Sequence, residues 1–437
     1  MAESKTTRLS RSAVLCSIAL VFIFFLQITV IRDRSLLRWA RRDSDASSNE
    51  VITCDRTHEI FDICTVNSTT LLDQASLTLF TLDPHTWTHQ TQEKIYPYPL
   101  KNDKTAISYV REVTITSTPP KSTCGVTHHS PALVFSAGGF SGNFYHDMNE
   151  IFIPLFITTN SLFYQQQDVI LVITDVRIGW LQKYAELLSA LSDRHSIINT
   201  NNLTTSHCFS SAVIGLLKHG EMIIDPTLLP YPKTLFDFHA FLKKVYIKDD
   251  TQALNPNVKH RPHLTLVSRS GNVSRVILNQ EEMIKAAEEI GFNVHVLEPS
   301  MNTSMINAYN LIHTSHAMLG VHGAGLTHLL FLRPGSVFVQ VVPIGTNWAS
   351  TTYYGNPAKK LGSEYIEYKI DANESSLAES YGADSLVIKD PLAFHEEIWA
   401  KKQLYLKKQN VKLDMVRFRK CLTKAYKKAK IFMDTVG

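Results

Sequence analysis

Short apolar runs alternate with amphipathic stretches along this 437-residue chain, most clearly from about Pro131 onward. Apolar runs with polar ends, at 132–136 and 168–175, are typical of buried strands. Stretches with apolar residues three and four positions apart, at about 144–157 and 178–191, are typical of helices. Strands that alternate with helices predict parallel βαβ units, so we expect an α/β fold.

A second array of the same kind runs from residue 264 to residue 342. Its strands are predicted by four apolar runs, at 264–268, 293–297, 316–321 and 337–342. The longest helix between them is expected to have Asn279 as its N-cap residue and Gly291 just past its end. Two such arrays, joined near residue 255, predict two facing Rossmann-like domains with a cleft between them.

The N-terminal part of the chain has a different pattern. Residues 13–31 form an uncharged apolar run that just suffices to cross the hydrocarbon layer of a membrane. Basic residues flank it on both sides, and no small-x-small cleavage site follows. We therefore expect an uncleaved type II signal anchor at 13–31, a cytoplasmic tail at 1–12 and a polar stem at 32–50.

Three further segments are expected beyond the stem, at 51–255, 256–395 and 396–437. The first begins with short strand-like runs, including one at 107–116. The last is dense in Lys and Arg from 401 to 430, where Asp414 is the only acid. We interpret it as a helix with a solvated basic face, and docking to an acidic partner or to lipid headgroups is the alternative. The overall net charge of +4 indicates no nucleic-acid partner.

Two features predict that the chain beyond the anchor lies in an oxidising lumen. The first is a set of five Asn-x-Ser/Thr sequons, at Asn67, Asn202, Asn272, Asn302 and Asn373. The second is a set of five cysteines, namely Cys54, Cys64, Cys124, Cys208 and Cys421. We favour disulfides that join the first two and the next two, although other pairings stay open. The fifth cysteine is then either buried or joins two chains.

One glycine-containing turn is a candidate anion site, and it reads His322-Gly323-Ala324-Gly325. Glycines let backbone N–H groups approach an anion, and the N-terminus of the following helix favours negative charge. Arg269 is expected at the same edge of the sheet with Arg275 nearby, and arginine suits phosphate oxygens. A structural tight turn is the alternative for the glycines, and a surface salt bridge is the alternative for Arg275.

A second candidate site lies on the predicted helix at 144–157. His146 and Glu150 are four residues apart and share a helix face, with Asp147 adjoining. A histidine or carboxylate here could take a proton from a hydroxyl nucleophile, whereas capping and solvation are the alternative. No Cys/His set has zinc-site spacing and no Asp-x-Asp occurs, so we expect a metal-independent site with no required cofactor.

Three stretches in this order resemble the plant glycosyltransferase family 61: "FSAGGFSGNFYHDMNEIFIPLFIT", "LVSRSGNVSRVILNQEEM" and "VHGAGLTHLLFLRPGSVFVQVVP". This family includes xylan arabinosyl- and xylosyltransferases of the Golgi. The resemblance covers about 54–418. It implies a GT-B-like fold, a single-pass type II Golgi topology, a polysaccharide acceptor, and UDP-xylose or UDP-arabinofuranose as donor. The acceptor side would be 51–255 and the nucleotide-sugar side 256–395.

The resemblance also implies roles for particular residues. Arg269, His322, Gly323 and Gly325 would lie at the nucleotide diphosphate, and His146 or Asp147 near the acceptor hydroxyl. Relatives tend to have "HDFND" where this chain has "HDMNE", so Glu150 keeps the charge on a longer side chain. The implied reaction is inverting transfer by direct displacement, with His146 as the first choice of base because its pKa ordinarily lies near neutral pH.

The resulting functional prediction is transfer of a pentose to side-chain positions of xylan. Homo-oligomers, or hetero-oligomers with other Golgi glycosyltransferases, are compatible with the sequence. An N-glycan core β-1,2-xylosyltransferase and a non-catalytic Golgi glycan-binding subunit are the two alternatives. An oxidoreductase is disfavoured, because the turn at 322–325 does not match the dinucleotide-binding fingerprint.

Overall fold

The computed structural model describes residues 50–88, 90–163, 168–193, 195–247, 261–269, 271 and 273–436. The expected tail, signal anchor and nearly all of the stem lie outside these ranges, as do Asn272 and the expected junction near residue 255. No helix within the described ranges is long and apolar enough to span a membrane. The anchor and the domain boundaries therefore stay predictions.

Seventeen strands occur in the described residues. They are β1 Ile52–Asp55, β2 Ile63–Val66, β3 Thr70–Leu72, β4 Thr78–Thr81, β5 Gln92–Ile95, β6 Val113–Thr116, β7 Val126–Thr127, β8 Ala132–Ser136, β9 Ile170–Thr174, β10 Ile198–Asn199, β11 His207–Phe209, β12 Ala212–Ile214, β13 His263–Val267, β14 Asn293–Leu297, β15 Ala317–Val321, β16 Val337–Val342 and β17 Glu364–Lys369. They form three sheets.

The helices in the same ranges are mostly short. The α-helices are α1 Lys104–Ile107, α2 Phe144–His146, α3 Ile153–Leu162, α4 Trp180–Lys183, α5 Ala185–Leu191, α6 Leu235–Tyr246, α7 Gln280–Ile290, α8 Met305–His313, α9 Asn347–Ser350, α10 Asn356–Lys360, α11 Ser376–Tyr381, α12 Leu386–Lys389, α13 Pro391–His395, α14 Trp399–Lys407 and α15 Met415–Val436. Two π-helical segments are Asp147–Phe152 and Thr351–Gly355. The 3-10 helices are Pro84–Thr88, Thr200–Asn202, Pro226–Leu228, Ala324–Phe331 and Ala372–Glu374.

The three sheets differ in their strand directions. The outer sheet has the order β5-β6-β4-β3-β11-β7, the middle sheet β1-β2-β12-β8-β9-β10, and the parallel sheet β14-β13-β15-β16-β17. Every pair in the last sheet is parallel, as the sequence predicts. In the middle sheet β12, β8, β9 and β10 are parallel, but β1 and β2 join antiparallel. The connection between β1 and β2 is too short for a crossover, so these two strands can pair only in opposite directions.

Side-chain alternation along the strands divides the interior into three apolar layers. In β8, Leu133 contributes to the layer shared with the parallel sheet, and Val134 to the layer shared with the outer sheet. In β15, Met318 contributes to that same shared layer, and Leu319 to the far side of the parallel sheet. Both faces of these strands are covered, which explains why they appear in the sequence as uninterrupted apolar runs.

The layer between the middle and parallel sheets is built by residues from both halves of the chain. Phe238 and Leu242 of α6 and Leu329 and Phe331 of the 3-10 helix all belong to it, and all four are fully buried. Burial of such side chains stabilises a fold by about 1.5–3 kcal/mol each. The two arrays that the sequence predicts therefore share one continuous apolar core in the described residues.

The C-terminal helix α15 covers the far side of the parallel sheet. Its buried residues, Phe418, Leu422, Ala425, Ala429 and Phe432, recur every three or four positions on one face. Lys420, Lys424 and Lys427 are exposed on the other face. The basic face is solvated as expected, but the helix is a structural layer of the protein on its opposite side.

Two local predictions need correction. The run at 107–116 is strand only from Val113 onward, because Asp103 caps α1 by accepting from the N–H of Ala106. Asn279 stands at the N-cap position of α7, but its side chain makes no capping hydrogen bond. It instead exchanges two hydrogen bonds of 2.9 Å with the backbone of Leu413, so it ties α7 to the C-terminal segment.

The predictions for cysteines and sequons can be compared with the structure. Disulfides join Cys54 to Cys64 and Cys124 to Cys208, which confirms the favoured pairing. Cys421 is free and half-buried. The four sequon asparagines within the described ranges are exposed, namely Asn67, Asn202, Asn302 and Asn373. Their glycosylation stays a prediction.

We expect loss of the Cys124–Cys208 disulfide to destabilise the protein by about 2–5 kcal/mol, measured as the free energy of unfolding in urea. The two bonds close loops with sequence separations of 84 and 10 residues. In the chain-entropy account, Cys124→Ser should therefore cost about 2 kcal/mol more than Cys54→Ser. Cys421→Ser is the matched control and should have little effect. Equal costs for the two disulfides would contradict the chain-entropy explanation.

Candidate active site

The turn at 322–325 and Arg269 meet at one edge of the parallel sheet. β13 and β15 are parallel neighbours, with Val267 paired to Gly320, so the residues that follow them leave the sheet side by side. In the sheet order β14-β13-β15-β16-β17, β14 lies on one side of β13, whereas β15 and the later strands lie on its other side. The order of the strands therefore switches between β13 and β15. In open parallel sheets, ligands bind outside the carboxyl ends of the strands at such a switch point. The expectation that both stretches share one rim is confirmed.

Two arginines lie against the turn. A Cβ atom on Gly323 would come within 2.3 Å of Arg269 Nη1 and 3.6 Å of Arg275 Nη1, so a larger residue here would displace the Arg269 guanidinium from this position. Arg275 Nη1 donates to the carbonyl oxygen of His322 at 3.0 Å. Arg275 therefore contacts the turn, and it forms no salt bridge with a carboxylate in the part of the chain that the structure describes. Its backbone has φ +64°, an unusual value for a residue with a side chain.

The arginine pair carries positive charge that no acid among the described residues compensates. Within the described residues neither guanidinium has a carboxylate partner, and the buried Nε atoms of both have no hydrogen-bond acceptor. Burial and the neighbouring charge of Arg269 lower the pKa of Arg275 to about 10, which still leaves it charged at neutral pH. Two half-buried like charges with unused donors form a site that an anion would stabilise.

His322 is buried behind this pair. Its Nδ1 is 3.1 Å from Gln340 Nε2, while the side-chain oxygen of Gln340 accepts from Tyr365 at 2.7 Å. The amide NH₂ group therefore donates to Nδ1, which leaves the imidazole proton on Nε2. Burial, Arg275 and Arg269 hold the pKa of His322 well below its usual value. His322 is thus a neutral histidine that supports the turn.

The short helix expected after the turn is present. It begins at Ala324, ends at Phe331 and is a 3-10 helix, and His328 Nδ1 lies 2.7 Å from the carbonyl oxygen of Gly325. The first N–H groups of any helix have no partner within it. They lie next to Gly323, and this adds to the positive character of the rim.

The second candidate site is a histidine oriented by a buried carboxylate. His146 Nδ1 is 2.9 Å from Glu150 Oε2, and the exposed fractions of the two side chains are 28% and 2%. When Nδ1–H donates to this carboxylate, the lone pair of the neutral ring lies on Nε2. Glu150 therefore acts through His146, and its longer side chain is used for orientation.

A buried lysine balances part of the negative charge. Lys218 has a side-chain exposure of 1%, and its ammonium lies 3.3 Å from Glu150 Oε1 and 3.2 Å from Glu221 Oε1. Asn149 Nδ2 donates to both carboxylates, and its Oδ1 accepts from the N–H of Met222. Burial alone would raise the pKa of Glu221, but Lys218 and hydrogen bonds lower it below the usual value. With two carboxylates and one ammonium, the cluster keeps one negative charge uncompensated next to the ring of His146.

Asp147, the second candidate base, has no free acceptor position facing an open site. Its Oδ1 accepts from Trp180 Nε1 at 2.9 Å and from the N–H of Gly142 at 3.0 Å, and its Oδ2 accepts from the hydroxyl of Tyr184 at 2.8 Å. Its exposed fraction is 1%. Burial raises the pKa of Asp147, although these hydrogen-bond donors act to lower it. This geometry indicates a structural role for Asp147, because its side chain anchors the loop before α2.

Tyrosine rings connect the two candidate sites. The ring centroid of Tyr145 is 5.4 Å from His146, 5.0 Å from Tyr353 and 6.0 Å from Tyr354. Tyr354 in turn is 5.2 Å from His322. The histidine cluster (His146, Glu150 and Lys218) and the arginine rim (Arg269, Arg275 and the turn at 322–325) therefore belong to one site. Tyr145 lies just before one π-helical segment, and Tyr353 and Tyr354 lie within the other. Such segments occur frequently at functional sites.

Sequence reasoning missed several of these residues. Lys218 could have been noticed as a single charge next to the apolar run "AVIGLL". The adjacent tyrosines of "TTYYG" carried no signal, because their importance depends on the segment they contact. No group of three or more His, Cys, Asp or Glu residues suited to a metal ion occurs in the part of the chain that the structure describes.

These features suit a transferase whose donor carries phosphate and whose acceptor loses a proton. Comparison with known proteins supports a transferase. The sequence profile described as glycosyltransferase 61 matches residues 144–339, a range that includes both candidate sites. Together with the relatives below, this match shows that the chain belongs to the glycosyltransferase 61 family.

Three relatives have assigned activities. The chain is 38% identical over 405 residues to the xylan glycosyltransferase MUCI21 of Arabidopsis thaliana, which covers 88% of this chain and 81% of the relative. It is 33% identical to the alpha-1,3-arabinosyltransferase XAT3 of Oryza sativa subsp. japonica, over 85% of this chain and 64% of that one. It is 34% identical to the beta-1,2-xylosyltransferase XYXT1 of the same plant, over 77% of this chain and 72% of that one.

We expect Asp147→Ala to lower the free energy of unfolding by about 1–3 kcal/mol, because three donors would lose their acceptor. His146→Ala is the matched neighbour and should cost much less, since its side chain is partly exposed. Urea denaturation of both variants measures the difference. Equal destabilisation by the two substitutions would contradict the structural role of Asp147.

Proposed function

We propose that this chain is an inverting pentosyltransferase that moves xylose or arabinofuranose from a UDP-sugar to side-chain positions of xylan. The observation that supports this most is the pair Arg269 and Arg275, which has no carboxylate partner among the described residues, beside a carboxylate-oriented histidine in one continuous site. The names of the relatives describe a xylan glycosyltransferase, an arabinosyltransferase and a xylosyltransferase. In this proposal the two α/β halves form a GT-B-like enzyme.

The donor diphosphate would bind at the arginine rim. Arg269 offers its unused guanidinium donors, and Arg275 adds a second charge that is held by the turn. Glycine at 323 keeps this approach open. As the bond to the sugar breaks, negative charge develops on the leaving diphosphate, and preorganised donors stabilise that charge without reorganisation. This positive charge comes from side chains, so we propose that transfer needs no metal ion.

The acceptor would be activated by His146. Its Nε2 takes the proton of an acceptor hydroxyl, and the hydroxyl oxygen forms a bond to the anomeric carbon of the donor. The bond from that carbon to the diphosphate oxygen breaks, and UDP leaves with the electron pair. Attack opposite the leaving group inverts the anomeric centre. Glu150 keeps His146 in the required tautomer and stabilises the imidazolium that forms.

The cellular setting of the proposal is a single-pass type II protein of the Golgi membrane, with the described residues in the lumen. The two disulfides support an oxidising compartment. The exposure of four sequon asparagines is compatible with glycosylation there. A nucleotide sugar and a polysaccharide are then the ligands, and no nucleic acid takes part.

We expect Arg269→Ala to weaken UDP binding by roughly tenfold to a hundredfold, the range for loss of a charge-assisted hydrogen bond. Uridine, which has no phosphate, should bind both proteins alike. Arg419→Ala is the matched control, because Arg419 pairs with Glu289 at the surface. Isothermal titration calorimetry measures these affinities. Normal UDP affinity of Arg269→Ala would remove this residue from the phosphate site.

The proposed function is tested by transfer assays with the purified full-length protein. UDP-xylose and UDP-arabinofuranose are offered with xylo-oligosaccharides and with N-glycans, with and without EDTA, followed by linkage analysis. We expect EDTA-resistant pentose transfer to xylan, and His146→Ala should lower kcat by about 10²–10⁴-fold while UDP still binds. Transfer only to N-glycans would favour the core xylosyltransferase. Absence of UDP release with every pair would favour a non-catalytic subunit.

A further inference from the structure

A line of aromatic rings leads from the candidate base to the protein surface. Tyr145 contacts His146, and Tyr353 follows at a centroid distance of 5.0 Å from Tyr145. Trp348 lies 5.7 Å from Tyr353, and Trp399 lies 6.4 Å from Trp348. We call Tyr145, Tyr353, Trp348 and Trp399 the aromatic track. It extends away from His146 without a break between rings.

Exposure increases along the aromatic track. Tyr145 is buried, Tyr353 and Trp348 are half-buried, and Trp399 has an exposed fraction of 57%. A tryptophan that is mostly exposed loses the stabilisation that burial of its ring would bring. Single exposed apolar residues are ordinary, but one that continues a row of rings from a reactive site indicates a surface for a ligand.

The inner rings are held in place by local structure. Tyr353 lies in the π-helical segment Thr351–Gly355, next to Tyr354, which contacts His322. This segment therefore presents one tyrosine to the arginine rim and its neighbour to the track. Lys402 lies 4.8 Å above the ring of Trp348, and its ammonium is paired with Glu397. Such a cation–π contact limits the orientations that Trp348 can adopt.

The chemistry of the track suits a neutral polysaccharide. A pyranose ring has a face of C–H groups with slight positive charge, and the face of an aromatic ring is slightly negative, so the two stack. Tyrosine and tryptophan supply large contact area with little loss of side-chain entropy. Lys402, the cation that lies over Trp348, is already paired with Glu397, so it does not select for an anionic ligand.

We propose that the aromatic track is the acceptor-binding site, on which successive sugars of a xylan backbone lie between Trp399 and His146. This inference rests on the proposed function and deepens it. The acceptor is then a chain of several sugars, and not a single sugar or a short glycan core. The sugar nearest Tyr145 presents its hydroxyl to His146, and the outer sugars bind Trp348 and Trp399.

A competing path is a groove of about 370 Å³ between α4 and the start of α8. Its lining includes Ile178 and Met301, which are exposed, but no aromatic side chain. Asn302 also lines it and belongs to a sequon, so a glycan attached there would occupy the groove. These observations favour the aromatic track as the path of the acceptor.

The test compares acceptors of increasing length. We measure kcat and KM of the full-length wild type, Trp399→Ala and Trp399→Phe with xylobiose and xylohexaose. Trp399→Ala should raise KM for xylohexaose about three- to tenfold, the factor for one lost aromatic contact. KM for xylobiose, kcat and UDP affinity should not change, and phenylalanine should restore most of the loss. Tyr381→Ala is the matched control, because Tyr381 has a similar exposure of 48% and no ring contact with the track.

Binding without turnover separates this inference from the proposed function. Retardation of His146→Ala in gels that contain xylan is compared with that of the double variant His146→Ala/Trp399→Ala. Weaker retardation of the double variant supports the track even if no sugar transfer occurs with any donor. Unchanged retardation and an unchanged KM for xylohexaose would overturn the inference while pentose transfer to xylan still stands. A raised KM in Met301→Ala, with Trp399→Ala normal, would move the acceptor to the groove and also overturn it.

Discussion

The apolar layer between the middle and parallel sheets is the constraint on which the site depends. Phe144 lies two residues before His146, and its ring centroid is 4.2 Å from that of His328 and 6.1 Å from that of Phe331. These contacts hold the start of the His146 helix against the 3-10 helix that follows the glycine turn. The two halves of the site come from segments about 180 residues apart in the chain. Hydrophobic burial, which is not directional, brings them together, and polar contacts then set their orientation.

The site also contains two clusters of opposite charge, of which the arginine pair is half-buried and the Lys218 cluster is largely buried. The arginine pair has two positive charges and no acid among the described residues, whereas Lys218 lies between the carboxylates of Glu150 and Glu221. Each cluster is unfavourable by itself, because burial disfavours uncompensated charge. An anion would compensate the first, and the second keeps one negative charge next to His146.

Much of the fold could be predicted, because strands covered on both faces leave long apolar runs in the sequence. The parallel sheet and the edge shared by Arg269 and His322 followed from that pattern. The middle sheet was predicted less well, since antiparallel pairing of β1 and β2 leaves no signal of direction. Asp147 shows a different limit, because an acid beside a histidine has the same pattern whether it faces substrate or three buried donors.

The sequence by itself determined the α/β class, the segments that form the parallel sheet, and the residue types available for chemistry. These follow from local periodicity and composition, which are properties of neighbouring residues. Only the tertiary structure decided that Glu150 orients His146, that Lys218 balances it, and that tyrosines of "TTYYG" connect histidine and arginines. Those relations join residues far apart in the chain, and they exist only after packing has excluded water and fixed each side chain against its neighbours.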